Sequence, residues 1–161
     1  MTERTDTTPQ RKTVLFVTTA DTDILTAERA LSGMPDDYPH VRAFNPVALE
    51  TPEAQEELMT ALEDAGVVIL RLLGGKQSMP QLFDQLVRDC RVRGIPLIAL
   101  PGHQEWDEDL VTACTVPVAE VETAFAYLMR GGVQNLENLF FFLSDTYLGS
   151  DYGHEAPSHI P

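Results

Sequence analysis

The stretch "KTVLFVTTADTDIL" (Lys12–Leu25) sets a continuous apolar run against two hydroxyls and two acids. Val14–Val17 is short and uninterrupted, the pattern of a strand buried on both faces, as a parallel sheet requires. Past Thr18 and Thr19 the period changes. Ile24, Leu25, Ala27, Ala30 and Leu31 recur at helical spacing, and Gly33 and Pro35 end the run. A buried strand leading directly into an amphipathic helix is the opening of a β-α-β unit.

The alternation continues outward from there. "VRAFNP" (Val41–Pro46) is a second, weaker strand. "TPEAQEELMTALEDAG" (Thr51–Gly66) is a well-signed helix: Thr51 suits its N-cap, Pro52 its first position, and Glu53, Glu56 and Glu57 its positive end. "VVILRLLGG" (Val67–Gly75) and "IPLIALPG" (Ile95–Gly102) are further strands. Between them Leu82, Phe83, Leu86, Val87 and Cys90 mark a helix opened at Pro80 and closed by Gly94. After Gly102 the patterns are helical, over 107–113, 118–129 and 133–148, with "CTVPVA" (Cys114–Ala119) as a candidate short edge strand.

Strands near 12–19, 41–45, 67–72 and 95–100 alternating with helices imply an α/β fold. The expected form is a flavodoxin-like, doubly wound parallel sheet in order 2-1-3-4, with extra C-terminal helices. Residues 1–11 read as a flexible arm, 12–148 as the domain, and 149–161 ("GSDYGHEAPSHIP") as a linker to downstream domains. The helix around "LFFFL" (Leu139–Leu143) is apolar nearly all round, which points to cover from outside the domain.

The 161 residues suit one domain with a full core. There are 25 acidic residues against 11 Lys and Arg, a net charge of -14, which argues against nucleic acid and anionic membrane as partners. No apolar run approaches a membrane span and no apolar signal core precedes Lys12, so the expected compartment is the cytoplasm. Cys90 and Cys114 lack metal-ligand spacing and read as free thiols.

Ligands of such sheets gather at the carboxyl ends of the strands. Thr18, Thr19, Asp21 and Asp23 follow the first strand, Arg71, Gly74 and Gly75 end the third, and His103 follows the fourth. A flavin phosphate fits poorly, because two acids would repel it and the loop has no Gly. Asp21 and Asp23 have the spacing of a haloacid-dehalogenase phosphatase, but they stand late after the strand and no second acidic pair follows. The bland reading is that Asp21 or Thr22 caps the next helix and Asp23 favours its dipole, with Arg71 pairing one of the acids. Gly74 and Gly75 allow a tight turn or a close backbone approach. Asn135 and Asn138 share one helix face and can reach neighbouring loops. His103 is a candidate ligand or proton carrier, although a lone loop histidine is more often neither. The four histidines share no ligand spacing, so no metal site is expected in the isolated chain.

"LFVTTADTDIL", "VVILRLLGG", "IALPG" followed by "DEDL", and "AYLMRGGVQNLENLFFFLSD" resemble, in order and spacing, the start of the large subunit in the cobaltochelatase and magnesium-chelatase H family. The resemblance covers roughly Thr13–Asp145, and "PSHIP" is similar to that family's connector. It implies a ligase that inserts Co²⁺ into hydrogenobyrinic acid a,c-diamide during cobalamin synthesis, with ATP and Mg²⁺ used on separate AAA+ subunits. This chain would be the N-terminal part, partnered by the remaining large-subunit domains, the AAA+ subunits and the corrinoid, and binding no cofactor alone. The absence of a G-x-x-x-x-G-K-[ST] loop agrees with ATP hydrolysis elsewhere. His103 departs from the family, where an acid commonly follows "PG". Two other readings remain at this point: a free-standing flavodoxin-like binding or regulatory module, and a metal-dependent phosphatase resting on Asp21 and Asp23.

Overall fold

The computed structural model describes residues 12–49, 51–102 and 107–157. The expected arm (1–11) and His103 lie outside the described residues, as does the end of the tail.

Four strands, β1 (Thr13–Thr18), β2 (Val41–Phe44), β3 (Ala65–Leu72) and β4 (Leu97–Pro101), form one all-parallel sheet in the order β2-β1-β3-β4. This is the expected α/β topology. Val14 pairs with Val41 on one side and Val67 on the other, so β1 is central. Val14–Thr18 are fully buried, and every β3 residue except Arg71 is buried, which is why these two strands read as unbroken apolar runs. The edge strand β2 is only half-buried, and its weaker sequence signal follows from that.

Among the described residues, six α-helices cover the sheet: α1 (Asp21–Ser32), α2 (Pro52–Ala61), α3 (Pro80–Arg93), α4 (Glu108–Ala113), α5 (Val118–Arg130) and α6 (Val133–Tyr147). Side-chain alternation along the strands sorts them into two layers. Leu15, Val17, Val68, Leu70, Leu97 and Ala99 face α2, α3 and α4. Val14, Phe16, Val67, Ile69, Ile98 and Leu100 face α1, α5 and α6. The caps are local. Thr51 Oγ1 accepts from Ala54 N–H at 3.1 Å at the start of α2, and Asp107 Oδ1 from Leu110 N–H at 3.2 Å at the start of α4. Gly94, at φ 71°, ends α3 in the left-handed conformation.

"CTVPVA" forms no strand. Thr115 N–H instead donates to Leu97 O and Leu97 N–H to Thr115 Oγ1, while Cys114 Sγ lies against the Ala99 backbone. Pro117 sits where a continuing ladder would need a donor.

Tail residues 149–157 run back along α5 and α6. Asp145 accepts from Ser150 Oγ, Tyr152 N–H and Gly153 N–H. Farther on, Glu155 N–H donates to Asn138 Oδ1, Tyr127 O–H to Glu155 O and Arg130 Nη1 to Pro157 O. Phe141 stacks against Tyr38 and Tyr152. Phe140, Phe142 and Leu143 are buried within the chain itself. The apolar surplus of α6 therefore finds much of its cover inside this chain, from its own tail and the loop after α1.

Candidate functional site

The carboxyl ends of the strands gather a connected polar cluster. Arg71, at the end of β3, makes a bidentate ion pair with Asp23: Nη1 lies 2.9 Å from both Oδ1 and Oδ2. The two side chains are 14% and 12% exposed. Thr18, fully buried at the end of β1, donates its hydroxyl to Asp23 Oδ2 at 2.8 Å and accepts from Ala20 N–H at 3.1 Å. Arg71 Nη2 donates to Gly102 O at 3.2 Å, after β4, and lies 3.8 Å from Met129 Sδ near the end of α5. Arg71 Nε is buried and has no hydrogen-bond partner among the described residues. One guanidinium thus ties together the ends of β1, β3, β4 and α5.

The second acid goes elsewhere. Asp21 Oδ1 accepts from Asn45 Nδ2 at 2.8 Å, and Asn45 Oδ1 accepts from Val47 N–H, so Asp21 fastens the turn that follows β2. Thr19 Oγ1 accepts from Leu73 N–H at 2.9 Å, holding the chain just past β3. The expectation that Asp21 or Thr22 caps α1 is corrected: the N-cap is Ala20, without a side-chain cap bond. The buried Thr18 hydroxyl turns the chain at Ala20, so the helix begins at Asp21 and both acids sit in its first turn, where they suit the dipole.

Gly74 (φ 85°) and Gly75 (φ 67°) occupy the left-handed region in the turn after β3. A Cβ on Gly75 would stand 2.7 Å from Asp107 Oδ2, so a side chain there would push the Asp107 carboxylate aside where the loops after β3 and β4 meet. Asn135 is buried in the first turn of α6, with Nδ2 donating to Gly131 O at 2.7 Å. Asn138, one turn on, holds the tail through Glu155. Thr18, Thr19, Asp21, Asp23, Arg71, Gly74 and Gly75 are therefore one neighbourhood. The two asparagines instead organise the α5–α6 turn and the tail.

Sequence reasoning missed Asn45, and with it the tie between Asp21 and the β2 end. The signal was the Asn-Pro step directly after the strand. It also missed Asp145, whose role depends on a tail that carries no periodicity. Among the described residues, no group of three or more His, Cys, Asp or Glu side chains is placed to hold a metal ion. None of their helices is long and apolar enough to cross a membrane. An open cleft of about 590 Å³ runs along the outer faces of α2 and α3, past Gln55, Glu56, Met59, Glu63 and Asp89, rather than over the strand ends.

In sequence, the chain is 30% identical over 149 residues to the aerobic cobaltochelatase subunit CobN of Pseudomonas aeruginosa, a match spanning 92% of this chain. In fold, it superposes on the catalytic subunit of cobaltochelatase from Mycobacterium tuberculosis with a TM-score of 0.75, at 31% identity over 93% of this chain. This chain is a relative of the cobaltochelatase subunits. It spans 12% of the length of each of the two. No family model matches it. The cobaltochelatase resemblance runs through the site: β1, the Asp21–Asp23 turn, Arg71 and the α5–α6 turn all lie inside a match that takes in more than nine-tenths of the chain.

Proposed function

We propose that this chain serves as one domain of a cobaltochelatase large subunit, in the cytoplasm, at the N-terminal end of that subunit. The assembled enzyme inserts Co²⁺ into hydrogenobyrinic acid a,c-diamide on the way to cobalamin, with ATP and Mg²⁺ turned over on AAA+ partner subunits. The observation that carries this reading is the match at 30% identity across 92% of the chain.

The geometry supports a structural share in that work. Metal insertion requires removal of the ring's inner N–H protons, stripping of water from the metal and a large enclosing cleft. Here Asp23 is committed on both oxygens, and Arg71 is committed to Asp23 and Gly102. These groups hold the strand ends in place: both Asp23 oxygens are taken, while Arg71 keeps one buried N–H, Nε, without a partner among the described residues. The chain accordingly supplies a rigid wall, while bases and metal ligands come from the rest of the large subunit. The same commitment weighs against the phosphatase reading, which needs a free pair of carboxylates.

Reconstitution tests the proposal. The assembled enzyme with this domain should convert the corrinoid diamide to its cobalt form, followed by the corrinoid absorption spectrum, and deletion of the domain should abolish or sharply reduce the rate. Unchanged insertion without the domain would overturn it.

A further inference from the structure

The large exposed apolar side chains among the described residues are unevenly placed. Leu25, Val47, Leu73 and Val133 stand respectively at the start of the second turn of α1, just after β2, just after β3 and in the first turn of α6. All four positions belong to the carboxyl edge of the sheet, since α1 leaves it and α6 starts beside the α5 end that touches Arg71. Val47 is 62% exposed and Leu25 58%. Among the described residues, Val92, 80% exposed, and Val118 project at the opposite edge. A cleft of about 240 Å³ opens next to Val47, between the turn after β2 and the start of α3, walled by Pro46, Leu49, Met79, Pro80 and Leu82 together with the polar Gln55, Ser78 and Gln81. The polar cluster beneath is braced by the Arg71–Asp23 pair, and the edge offers outward these apolar side chains together with the exposed Asp21.

The tail leads to the same edge. Pro157 O is held by Arg130, next to Met129, which touches Arg71. The relatives are about eight times longer than this chain, which matches 12% of each. We infer that the carboxyl edge of the sheet, centred on Val47 and Leu73, is the surface on which the rest of the large subunit docks. The docking face carries apolar side chains, one of which fills the cleft beside Val47. Its rim is cationic, to meet Asp21 and Glu108 in a chain of net charge -14, Asp109 being already paired with Lys76 at 3.9 Å. The inference rests on the reading of the chain as a large-subunit domain.

Hydrogen exchange decides it, comparing the 161-residue chain alone with the same sequence in the assembled large subunit, whether continuous with it or a separate chain. Peptides covering 44–49 and 72–78 should exchange at least tenfold more slowly in the assembly, with 91–96 and 116–120 unchanged. Val47→Asp should weaken that protection, while Val92→Asp leaves it intact, both variants melting as the parent does. Equal exchange at the carboxyl edge, in an assembly whose cobalt insertion needs this domain, would overturn the inference and leave the functional reading standing. Insertion that proceeds equally without the domain would remove both.

Discussion

Asp21 and Asp23 stand two residues apart and do different work because their neighbours differ. Asp23 is nearly buried against Arg71 and Thr18, whereas Asp21 is exposed and answers only to Asn45. Removing one member of a buried ion pair leaves the other charge uncompensated, which costs about 3 kcal/mol or more. Asp23→Ala should therefore destabilise the chain by roughly that amount in urea unfolding, and Asp21→Ala by less than about 1 kcal/mol. Equal losses would contradict the division of roles. Arg71→Met added to Asp23→Ala should recover part of the loss, because the stranded guanidinium is then gone. Cys90 is a second residue whose surroundings decide its chemistry. Burial in the α3 core pushes its thiol up to about 12, with Asp89 adding to the shift and Arg93 opposing it. It should not react with a disulfide reagent at pH 8 in the folded chain and should react at once in denaturant, as a thiol titration would show.

Elements were legible where one period ran unbroken. The strand runs 14–17 and 67–72 could be read because both of their faces are buried, and α2 because Thr51 and Pro52 announce it. The start of α1 was misassigned because the deciding group, the Thr18 hydroxyl, sits inside the preceding strand and has no sequence signature as a cap. The ion pair between Arg71 and an acid of the β1 loop was legible, since a lone charge at the end of a buried strand needs a partner. Which acid it takes was not, since that depends on helix phase. The tail was illegible for a further reason: its order comes from Asp145, not from period. Burial alone would raise the Asp145 carboxyl. Hydrogen bonds from Ser150, the Tyr152 and Gly153 amides and His154 outweigh it and hold the group below its ordinary 3.8. The folded value lies below the unfolded one, so this stabilisation is complete above about pH 4 and is lost as pH falls below 3.8 through the folded value. The Tyr152 and Gly153 amides should keep their exchange protection down to that window, then lose it. Asp145→Asn should speed their exchange at pH 7 by about tenfold or more, since bonds to a charged acceptor contribute roughly 1.5–3 kcal/mol each. Protection unchanged in the variant would show that the other tail contacts, Tyr152 against Phe141 and the bonds at Glu155 and Pro157, suffice to hold it.

At the scale of the whole molecule, the sheet is covered on both faces and its two cores are packed through. Among the described residues, the strand-end edge is taken up largely by the Arg71–Asp23 pair and the turns after β1, β2 and β3. A corrin ring offers two broad faces and a rim of amides, and a site that excludes water from it must surround it. One three-layer domain offers an edge, not an enclosure of that kind. Divalent cobalt also needs several nitrogen or oxygen ligands held together. Here Asp23 is taken by Arg71, and Asp21 stands with the neutral Asn45. The isolated chain, given Co²⁺, the corrinoid diamide, ATP and the AAA+ subunits, should therefore insert no cobalt above a chain-free blank in the corrinoid spectrum. In calorimetric titration Co²⁺ should produce no stoichiometric micromolar site and should leave the melting temperature nearly unchanged. A tight site lost in Asp21→Asn and Asp23→Asn would mean that the Arg71 pair opens to admit the ion. The two acids would then be ligands rather than braces, and the domain would bring metal to the ring as well as a wall.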